Sequence, residues 1–250
     1  MRIRPLAVWL AIVAATLGCM SPSSPAAPLP AGGTHVLFIG NSLTYYHELP
    51  RIVEQLGELT GDTIRTATLA KPDYALVDHL ADGGAQSAIG RERWSVVVMQ
   101  QGSSALEEGR SLLYAGVDAL APLIRAAGGR PALYEVWPTA ARRFDVPGVR
   151  ESYRTAAQRV NGEFYPAGTA WVEAWARDAS LGLYEADGLH PTATGSFLAA
   201  LVIFERLTGR DARMLPAVAF ADGARLNLAE PTVRLLQEAA HAANARGTSP

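Results

Sequence analysis

Cysteine is nearly absent from this sequence, which has only Cys19 among its 250 residues. A single cysteine cannot form an intramolecular disulfide, and it cannot supply a metal site built from several thiolates. Cys19 also lies near the start of the chain, in a segment that looks like a targeting signal. We therefore do not expect it to act as a catalytic nucleophile.

Charge of either sign is sparse as well. Charged residues make up 18% of the chain, and the formal net charge is -2. Because the sequence has no run rich in Lys and Arg, we predict no nucleic-acid partner. Hydrophobic residues reach 49%, which suffices for one sizeable core and argues against long disordered stretches away from the ends.

Several motifs that indicate a cofactor are missing. The sequence has no His-Glu-x-x-His, no Walker A and no Gly-x-Gly-x-x-Gly, so we predict neither a metal nor a nucleotide cofactor. It also lacks the Gly-x-Ser-x-Gly of the α/β-hydrolases. The expected site therefore works with protein side chains alone.

The first residues resemble an export signal. Two arginines precede an apolar run at positions 6–15, which is too short for a stable membrane span. Residues 16–19 read Thr-Leu-Gly-Cys and resemble a bacterial lipoprotein cleavage site with Cys19 as the lipidated residue, although Leu is usual where Thr16 stands. The alternative is an ordinary secretory signal cleaved within residues 26–31. We expect a cell-envelope lipoprotein that meets the membrane only through its lipid anchor, or otherwise a secreted or periplasmic protein.

Composition divides the chain into four segments. Residues 1–19 form the predicted signal peptide, and residues 20–33, rich in Pro, Ser and Ala, form a predicted flexible linker. The folded domain is expected over residues 34–245, followed by a disordered tail at 246–250. The sequence has no internal repeat and no second linker, so it predicts a single domain.

Within that domain, short apolar runs alternate with patterns of helical spacing. The runs predict strands at residues 35–39, 63–69, 95–99, 132–136 and 164–165. The helical patterns cover residues 49–59, 111–127, 149–160 and 191–207. Such alternation predicts an α/β fold with a central parallel sheet of about five strands between two layers of helices. In such a sheet, functional residues collect at the carboxyl ends of the strands.

A serine follows the first predicted strand in the sequence Gly40-Asn41-Ser42-Leu43-Thr44. Gly40 permits a tight turn, and the backbone N–H groups of a following helix could face a developing oxyanion. The alternative is a plain strand-to-helix turn in which Asn41 or Ser42 caps the helix.

A second block, Asp187-Gly188-Leu189-His190-Pro191, precedes the last predicted long helix. A serine nucleophile needs a histidine base, and that base needs a carboxylate to orient it. A three-residue offset on a turn can bring Asp187 and His190 side by side. The alternative is a loop with an Asx turn at Asp187 and a capping role for His190.

Together the two blocks resemble the SGNH/GDSL hydrolase family, which has a Gly-Asp-Ser-(Leu) block early and an Asp-x-x-His block late. The likeness extends from about Val36 to Gly209 and is greatest to an uncharacterised bacterial branch. It implies a flavodoxin-like three-layer α/β/α sandwich, with Ser42 as nucleophile, His190 as base and Asp187 as its partner. Asn41 stands where the family usually has Asp.

The resemblance is weaker in the two middle blocks. The loop at residues 70–75 lacks the family's oxyanion glycine, and we expect a backbone N–H near Asp73 or Tyr74 to replace it. Where the family has Gly-x-Asn-Asp, this chain has Gln100-Gln101-Gly102. We predict an oxyanion hole made of the Ser42 N–H, the Tyr74 N–H and the Gln101 amide. Gln101, beside Gly102, is the first choice and Gln100 the second, and neighbouring side chains on a strand are expected to face opposite ways. Both glutamines could instead be structural.

Other candidates receive less support. Ser103 and Ser104 also follow a strand, but no Asp-x-x-His block pairs with them. His35, His47 and His79 are isolated and are expected to be surface or packed histidines. The tryptophans could form a sugar-stacking platform, although at least two of them are expected in the core. The three tryptophans concerned are Trp137, Trp171 and Trp175.

The expected function is a serine ester hydrolase that removes small acyl groups, acetyl foremost, from a small-molecule or carbohydrate ester. The substrate expectation rests on the breadth of the family and on export. Two alternatives remain. One is a surface-anchored carbohydrate-binding module with weak or lost catalysis, suggested by the missing oxyanion glycine and the glutamine exchange. The other is an O-acyltransferase with a sugar acceptor.

Overall fold

The computed structural model describes residues 32–247. Its centre is a sheet of five strands that are all parallel, in the spatial order β2-β1-β3-β4-β5. The strands are Thr34–Gly40 (β1), Ile64–Ala70 (β2), Val96–Met99 (β3), Arg130–Tyr134 (β4) and Glu163–Tyr165 (β5). The predicted α/β sandwich with about five parallel strands is confirmed.

Helices cover both faces of this sheet. They are Ser42–Tyr45 (α1), Leu49–Thr60 (α2), Leu76–Ala81 (α3), Gly84–Arg91 (α4), Glu107–Ala126 (α5), Val146–Arg159 (α6), Ala167–Arg177 (α7), Ala193–Thr208 (α8) and Glu230–Gly247 (α9). Helices α2, α7, α8 and α9 pack on one another, and α3, α4, α5 and α6 form the second group. In the part of the chain that is described, no helix is long and apolar enough to cross a membrane.

The strand order places the candidate site. β1 is an interior strand between β2 and β3, and its residues Val36–Ile39 are buried together with all four residues of β3. The chain leaves β1 towards β2 on one side and enters β3 on the other, so the strand order reverses between β1 and β3. In open parallel sheets, the crevice at such a reversal is where ligands bind. Ser42 lies directly above it, two residues beyond the end of β1.

Some elements were not predicted. Helices α3, α4, α7 and α9 are additional, as is an antiparallel hairpin formed by Ala219–Ala221 (β6) and Ala224–Leu226 (β7). α9 continues to Gly247, so the chain is helical two residues past the expected domain end at 245. The predicted signal peptide, Cys19 and most of the predicted linker fall outside the described residues.

Candidate active site

Ser42 is presented by a sharp strand-to-helix turn. β1 ends at Gly40, and α1 begins at Ser42 with Asn41 as its N-cap, whose side chain accepts a hydrogen bond from the Leu43 N–H at 3.1 Å. The Asn41 N–H donates to the Gln100 side chain at 2.9 Å. This capping fixes the start of α1, and Ser42 stays only 8% exposed.

Only glycine fits at position 40. A Cβ atom there would lie 2.4 Å from Gln100 Oε1 and 2.4 Å from Thr44 Oγ1, which is far inside van der Waals contact. These two side chains are themselves hydrogen-bonded, since the Thr44 hydroxyl donates to Gln100 Oε1 at 2.7 Å. The turn is therefore packed so closely that a side chain at Gly40 would displace the residues around Ser42.

Ser42, His190 and Asp187 form a continuous hydrogen-bonded chain. His190 Nε2 lies 2.9 Å from Ser42 Oγ, and His190 Nδ1 lies 2.6 Å from Asp187 Oδ2. The other oxygen of Asp187 accepts the backbone N–H groups of Leu189 and His190 at 2.8 and 2.9 Å. The structure thus brings Ser42 together with His190, which lies 148 positions later in the chain, and with Asp187. Their arrangement is the geometry that serine acyl transfer uses.

The Asp187 carboxylate is strongly favoured in its ionised form. The hydrogen bond from His190, followed by those from the backbone of Leu189 and His190, lowers the pKa of Asp187 to about 2. An ionised Asp187 accepts a hydrogen from His190 Nδ1, so Nε2 is left to accept the hydrogen of Ser42. The local loop alone sets this tautomer.

Hydrogen bonds from the end of β4 hold the loop that carries Asp187 and His190. Trp137 Nε1 donates to the Leu189 carbonyl at 3.0 Å, and the Ala140 N–H donates to the Gly188 carbonyl at 2.7 Å. In return, the Tyr184 hydroxyl donates to the Pro138 carbonyl at 2.6 Å. The loop is therefore anchored on the segment that follows β4 and does not depend on α8 alone.

The predicted role of Gln101 in the oxyanion hole does not agree with its contacts. Its amide nitrogen donates to Ser104 Oγ and to the Gly109 carbonyl, both at 3.0 Å, while its amide oxygen accepts the Leu76 N–H. Both amide hydrogens are thus used away from Ser42. Gln101 joins the loop after β3 to the starts of α3 and α5, which is a structural task.

The side chain that reaches the nucleophile turn is Gln100. Its amide oxygen accepts from Asn41 N and Thr44 Oγ1, and its amide nitrogen donates to Asn41 Oδ1 at 2.9 Å and to the Gln101 carbonyl at 2.6 Å. The side chains of Gln100 and Gln101 face opposite ways, as expected, but the one that faces the nucleophile turn is Gln100 and not Gln101. Gln100 faces the nucleophile turn, and it is fully hydrogen-bonded there.

The third predicted oxyanion donor, the Tyr74 N–H, also has a partner. It donates to the Lys71 carbonyl at 3.3 Å, and the Tyr74 carbonyl accepts from Asn41 Nδ2 at 3.1 Å. Tyr74 therefore supports the capping residue of α1. Within residues 32–247, the Ser42 N–H has no acceptor, so it is the predicted donor that remains available.

The other serines and tryptophans lie away from the Ser42 pair. The Ser104 hydroxyl donates to the Gly102 carbonyl at 2.9 Å and has no contact with a histidine in the described chain. Trp137 and Trp171 are buried and stack with their ring centroids 3.6 Å apart. Trp175 is covered by the Arg143 guanidinium, 3.9 Å from its ring. As expected, at least two of the tryptophans belong to the core.

Two histidines contribute structurally near the site. His79 is fully buried, and its Nε2 donates to the Gly40 carbonyl at 2.8 Å, so it braces the turn before Ser42. His47 Nδ1 lies 3.0 Å from Asp222 Oδ2. His35 Nδ1 lies 3.6 Å from Glu92 Oε2. None of the three contacts Ser42 Oγ.

Sequence reasoning missed the aromatic ring that packs on His190. The Tyr46 ring stacks on the imidazole with centroids 4.1 Å apart and an angle of 10° between the planes. Its only signal was its place four residues after Ser42. Such a contact depends on how the end of α1 packs against the Asp187 loop, and this packing cannot be predicted from the local sequence.

One group in the described residues has the composition of a metal site, and it lies far from Ser42. Ligand atoms of Glu205, Asp211 and His241 lie within 4.8 Å of one another at the far end of α8 from His190. The Arg213 guanidinium bonds both oxygens of Asp211 and lowers its pKa to about 2. The group is satisfied as an ion-pair network and has no connection to the reacting residues.

The fold is shared with several solved structures. A DUF4886 family protein from Bacteroides uniformis ATCC 8492 has a TM-score of 0.73 at 20% sequence identity, over 84% of this chain and 94% of its own. Axe2, an acetylxylan esterase from Geobacillus stearothermophilus, has a TM-score of 0.57 at 16% identity, over 71% of this chain and 95% of its own. At these identities the likeness concerns the fold. No protein-family model and no curated protein matches the sequence.

A further structure adds sequence likeness to the shared fold. A proposed SGNH hydrolase from Slackia heliotrinireducens is 29% identical to this chain, with a TM-score of 0.55, over 69% of this chain and 98% of its own. The structural neighbours support the assignment of this chain to the SGNH/GDSL-type hydrolases. As an SGNH/GDSL-type protein it keeps the serine after β1 and the Asp-x-x-His block before α8. It departs from the family pattern at Gln100 and Gln101.

Proposed function

We propose that this SGNH/GDSL-type protein is a serine ester hydrolase in which Ser42 is the nucleophile, His190 the general base and acid, and Asp187 the residue that orients His190. The observation that carries the proposal is the unbroken hydrogen-bonded chain from Asp187 through His190 to Ser42, at the strand-order reversal of the sheet. Membership of the family and its esterase members agree with carboxylic ester hydrolysis.

The chemistry follows from these contacts. Ser42 Oγ attacks the ester carbonyl carbon while His190 Nε2 takes the hydroxyl proton, which gives a tetrahedral intermediate with a negative oxygen. When the intermediate collapses, the bond to the alcohol breaks and His190 returns the proton to the leaving alcohol. Water then attacks the acyl-Ser42 ester with His190 again as base. The acid is released and Ser42 recovers its proton.

We assign the Ser42 N–H as the first oxyanion donor, because it lies at the start of α1 and has no acceptor within residues 32–247. A donor aimed at the developing charge matters more in the transition state than in the ground state. Gln101 and Tyr74 use their predicted donors elsewhere, so we place any further donors among backbone groups at this edge of the sheet.

For the substrate, we propose a small acyl ester, an acetyl group on a carbohydrate being the first choice. The support is the shared fold with an acetylxylan esterase, of which catalytic mutants at one serine and one histidine have been solved. We also propose that the protein is exported as a lipoprotein through Cys19, or otherwise secreted or periplasmic. Residues 1–19 carry that proposal by sequence alone.

The test is active-site labelling together with turnover. Wild-type protein should hydrolyse p-nitrophenyl acetate, and it should react with a fluorophosphonate probe, which labels an activated serine. Ser42→Ala should lose the labelling and lower kcat by about 10³-fold or more. Ser103→Ala and Ser104→Ala are matched controls that should keep both properties.

Each other outcome has a defined meaning. Near-normal turnover in Ser42→Ala would refute the assignment of the nucleophile. A folded wild type with neither turnover nor labelling would favour the binding module with lost catalysis. This module is the main alternative, because the predicted oxyanion donors of Gln101 and Tyr74 are hydrogen-bonded elsewhere. Acylated alcohol formed when a sugar acceptor is added would indicate an acyltransferase.

A further inference from the structure

The chain does not continue α1 after Tyr45 but turns so that Tyr46 lies flat against His190. The ring centroids are 4.1 Å apart with an interplanar angle of 10°. Tyr46 is partly buried, and its carbonyl accepts a hydrogen bond from Ser196 Oγ of α8 at 3.3 Å. The residue is therefore held by its backbone as well as by its ring.

The face of the His190 ring is where a support can act without disturbing the reaction. Both ring nitrogens lie in the imidazole plane, and they are taken by Asp187 and Ser42 at 2.6 and 2.9 Å. A further side chain in that plane would compete with one of them. A stacked ring limits tilting of the imidazole out of the line between Asp187 and Ser42 and leaves both nitrogens free to exchange protons.

The turn that presents Tyr46 is conformationally costly. The next two residues, His47 and Glu48, have φ values of 52° and 51°, in the left-handed region that non-glycine residues seldom adopt. Such backbone persists only where the surrounding structure enforces it, and it is concentrated at functional sites. Neither residue is a glycine, so the turn needs external support.

That support comes from the β6-β7 hairpin. Asp222 lies in the turn between β6 and β7. Its Oδ2 lies 3.0 Å from His47 Nδ1, and its backbone N–H donates to the His47 carbonyl at 3.2 Å. The hairpin is tied to α2 through Gln55, whose amide donates to the Gly223 carbonyl at 3.1 Å. On its other side, His47 Nε2 lies 3.6 Å from Glu185 Oε1, in the loop that leads to Asp187.

We propose that Tyr46 is a positioning residue for His190, and that Asp222 and the β6-β7 hairpin clamp the strained Tyr46–Glu48 turn so that the Tyr46 ring stays on the imidazole. This inference rests on the proposed function. Tyr46 acts through His190 and touches no reacting atom. The hairpin, which lies outside the parallel sheet, thereby has a task at the active site.

Ester turnover by three single variants tests the positioning role. Tyr46→Leu removes the flat ring and should lower kcat by about 10-fold to 100-fold, because a displacement of about 1 Å can cost a factor of this size. KM should change by less than about 2-fold, since substrate contacts stay in place. Tyr46→Phe keeps the ring and should keep kcat within about 2-fold of wild type. Tyr114→Leu, at a partly buried tyrosine of α5, is the control and should also stay within that range.

The clamp is tested by a double-mutant cycle with Asp222→Ala. Alone, this variant should lower kcat in the same direction as Tyr46→Leu but by less, since the Asp222 backbone contact to His47 remains. In the double variant, Asp222→Ala should add no further loss beyond that of Tyr46→Leu, because both act through the same ring. A fully multiplicative loss of kcat would overturn the clamp.

Folding and function are separated by measuring Tm and fluorophosphonate labelling for every variant. If Tyr46→Leu does not fold, Tyr46→Met replaces it with a flexible side chain of similar reach. A folded Tyr46→Leu or Tyr46→Met with wild-type kcat overturns the positioning role while leaving the proposed function intact. A folded wild type without turnover or labelling overturns the proposed function instead.

Discussion

Glu135 gives a prediction whose size can be worked out from its surroundings. It follows β4 directly and is fully buried. Its carboxyl oxygens accept from the Thr169 N–H at 3.1 Å and from the Thr169 hydroxyl at 3.0 Å, in the first turn of α7. Burial outweighs these bonds and raises the pKa of Glu135 from 4.5 to about 7. The folded protein therefore holds this proton more tightly than the unfolded chain does.

The sign of the effect follows from proton linkage. Between pH 4.5 and about 7 the native state binds more protons at Glu135 than the unfolded state, so this residue makes stability fall as pH rises through that window. At about 1.4 kcal/mol per pH unit, the full difference amounts to about 3 kcal/mol. Glu135→Gln removes the titration and keeps a hydrogen-bonding amide, so it should be more stable than wild type by up to that amount at pH 8.

Urea unfolding followed by tryptophan fluorescence at pH 5, 6.5 and 8 measures this. The free energy of unfolding of wild type minus that of Glu135→Gln should become more negative by about 2 to 3 kcal/mol between pH 5 and pH 8, with equal m-values. Glu151→Gln, whose side chain is 60% exposed on α6, is the control and should follow wild type. Parallel pH profiles for wild type and Glu135→Gln would refute the reasoning.

Three further predictions concern the glutamine pair and export. Gln101→Ala should cost about 1–3 kcal/mol of stability, because its hydrogen-bond partners Leu76 and Ser104 are left unpaired. It should lower kcat by less than about 10-fold. A loss of kcat of about 10²-fold or more with unchanged Tm would restore Gln101 as an oxyanion donor. Gln100→Ala should reduce both stability and kcat, because it frees Asn41 at the nucleophile turn. Cys19→Ser should move the protein from membrane to soluble fractions or trap its precursor; a wild type found only in the soluble pool would exclude the lipoprotein.

The sequence predicted those parts of the candidate site that are formed by residues close together in the chain. The turn at Ser42 and the Asp187-His190 pair each lie within a few residues of chain, and their meeting follows from the parallel topology. The oxyanion donors could not be predicted in the same way. Which of Gln100 and Gln101 faces Ser42 depends on where β3 ends, and a shift of one residue exchanges the two faces.

The elements that were missed have weak patterns for a physical reason. The buried face of α9 is made largely of alanines at positions 239, 240 and 243, which contribute little to a hydrophobic period although they pack closely. The start of α5 at Glu107 was placed four residues late, because Gly109 interrupts the first turn. Tyr46 could not be assigned at all, because its partner His190 is 144 positions away and stacking has no sequence signature.

The long separation between the two halves of the site ties activity to completion of the fold. Ser42 lies near the start of the described residues, directly after β1, while His190 lies just before α8, 148 positions later. No shorter stretch contains both, so a nascent chain that has not yet reached residue 190 has Ser42 with no base beside it. Contacts of such long range are made late, after the cost of closing the loop has been met. Under the proposed export through Cys19, a reactive serine is delayed until the whole domain has emerged and folded.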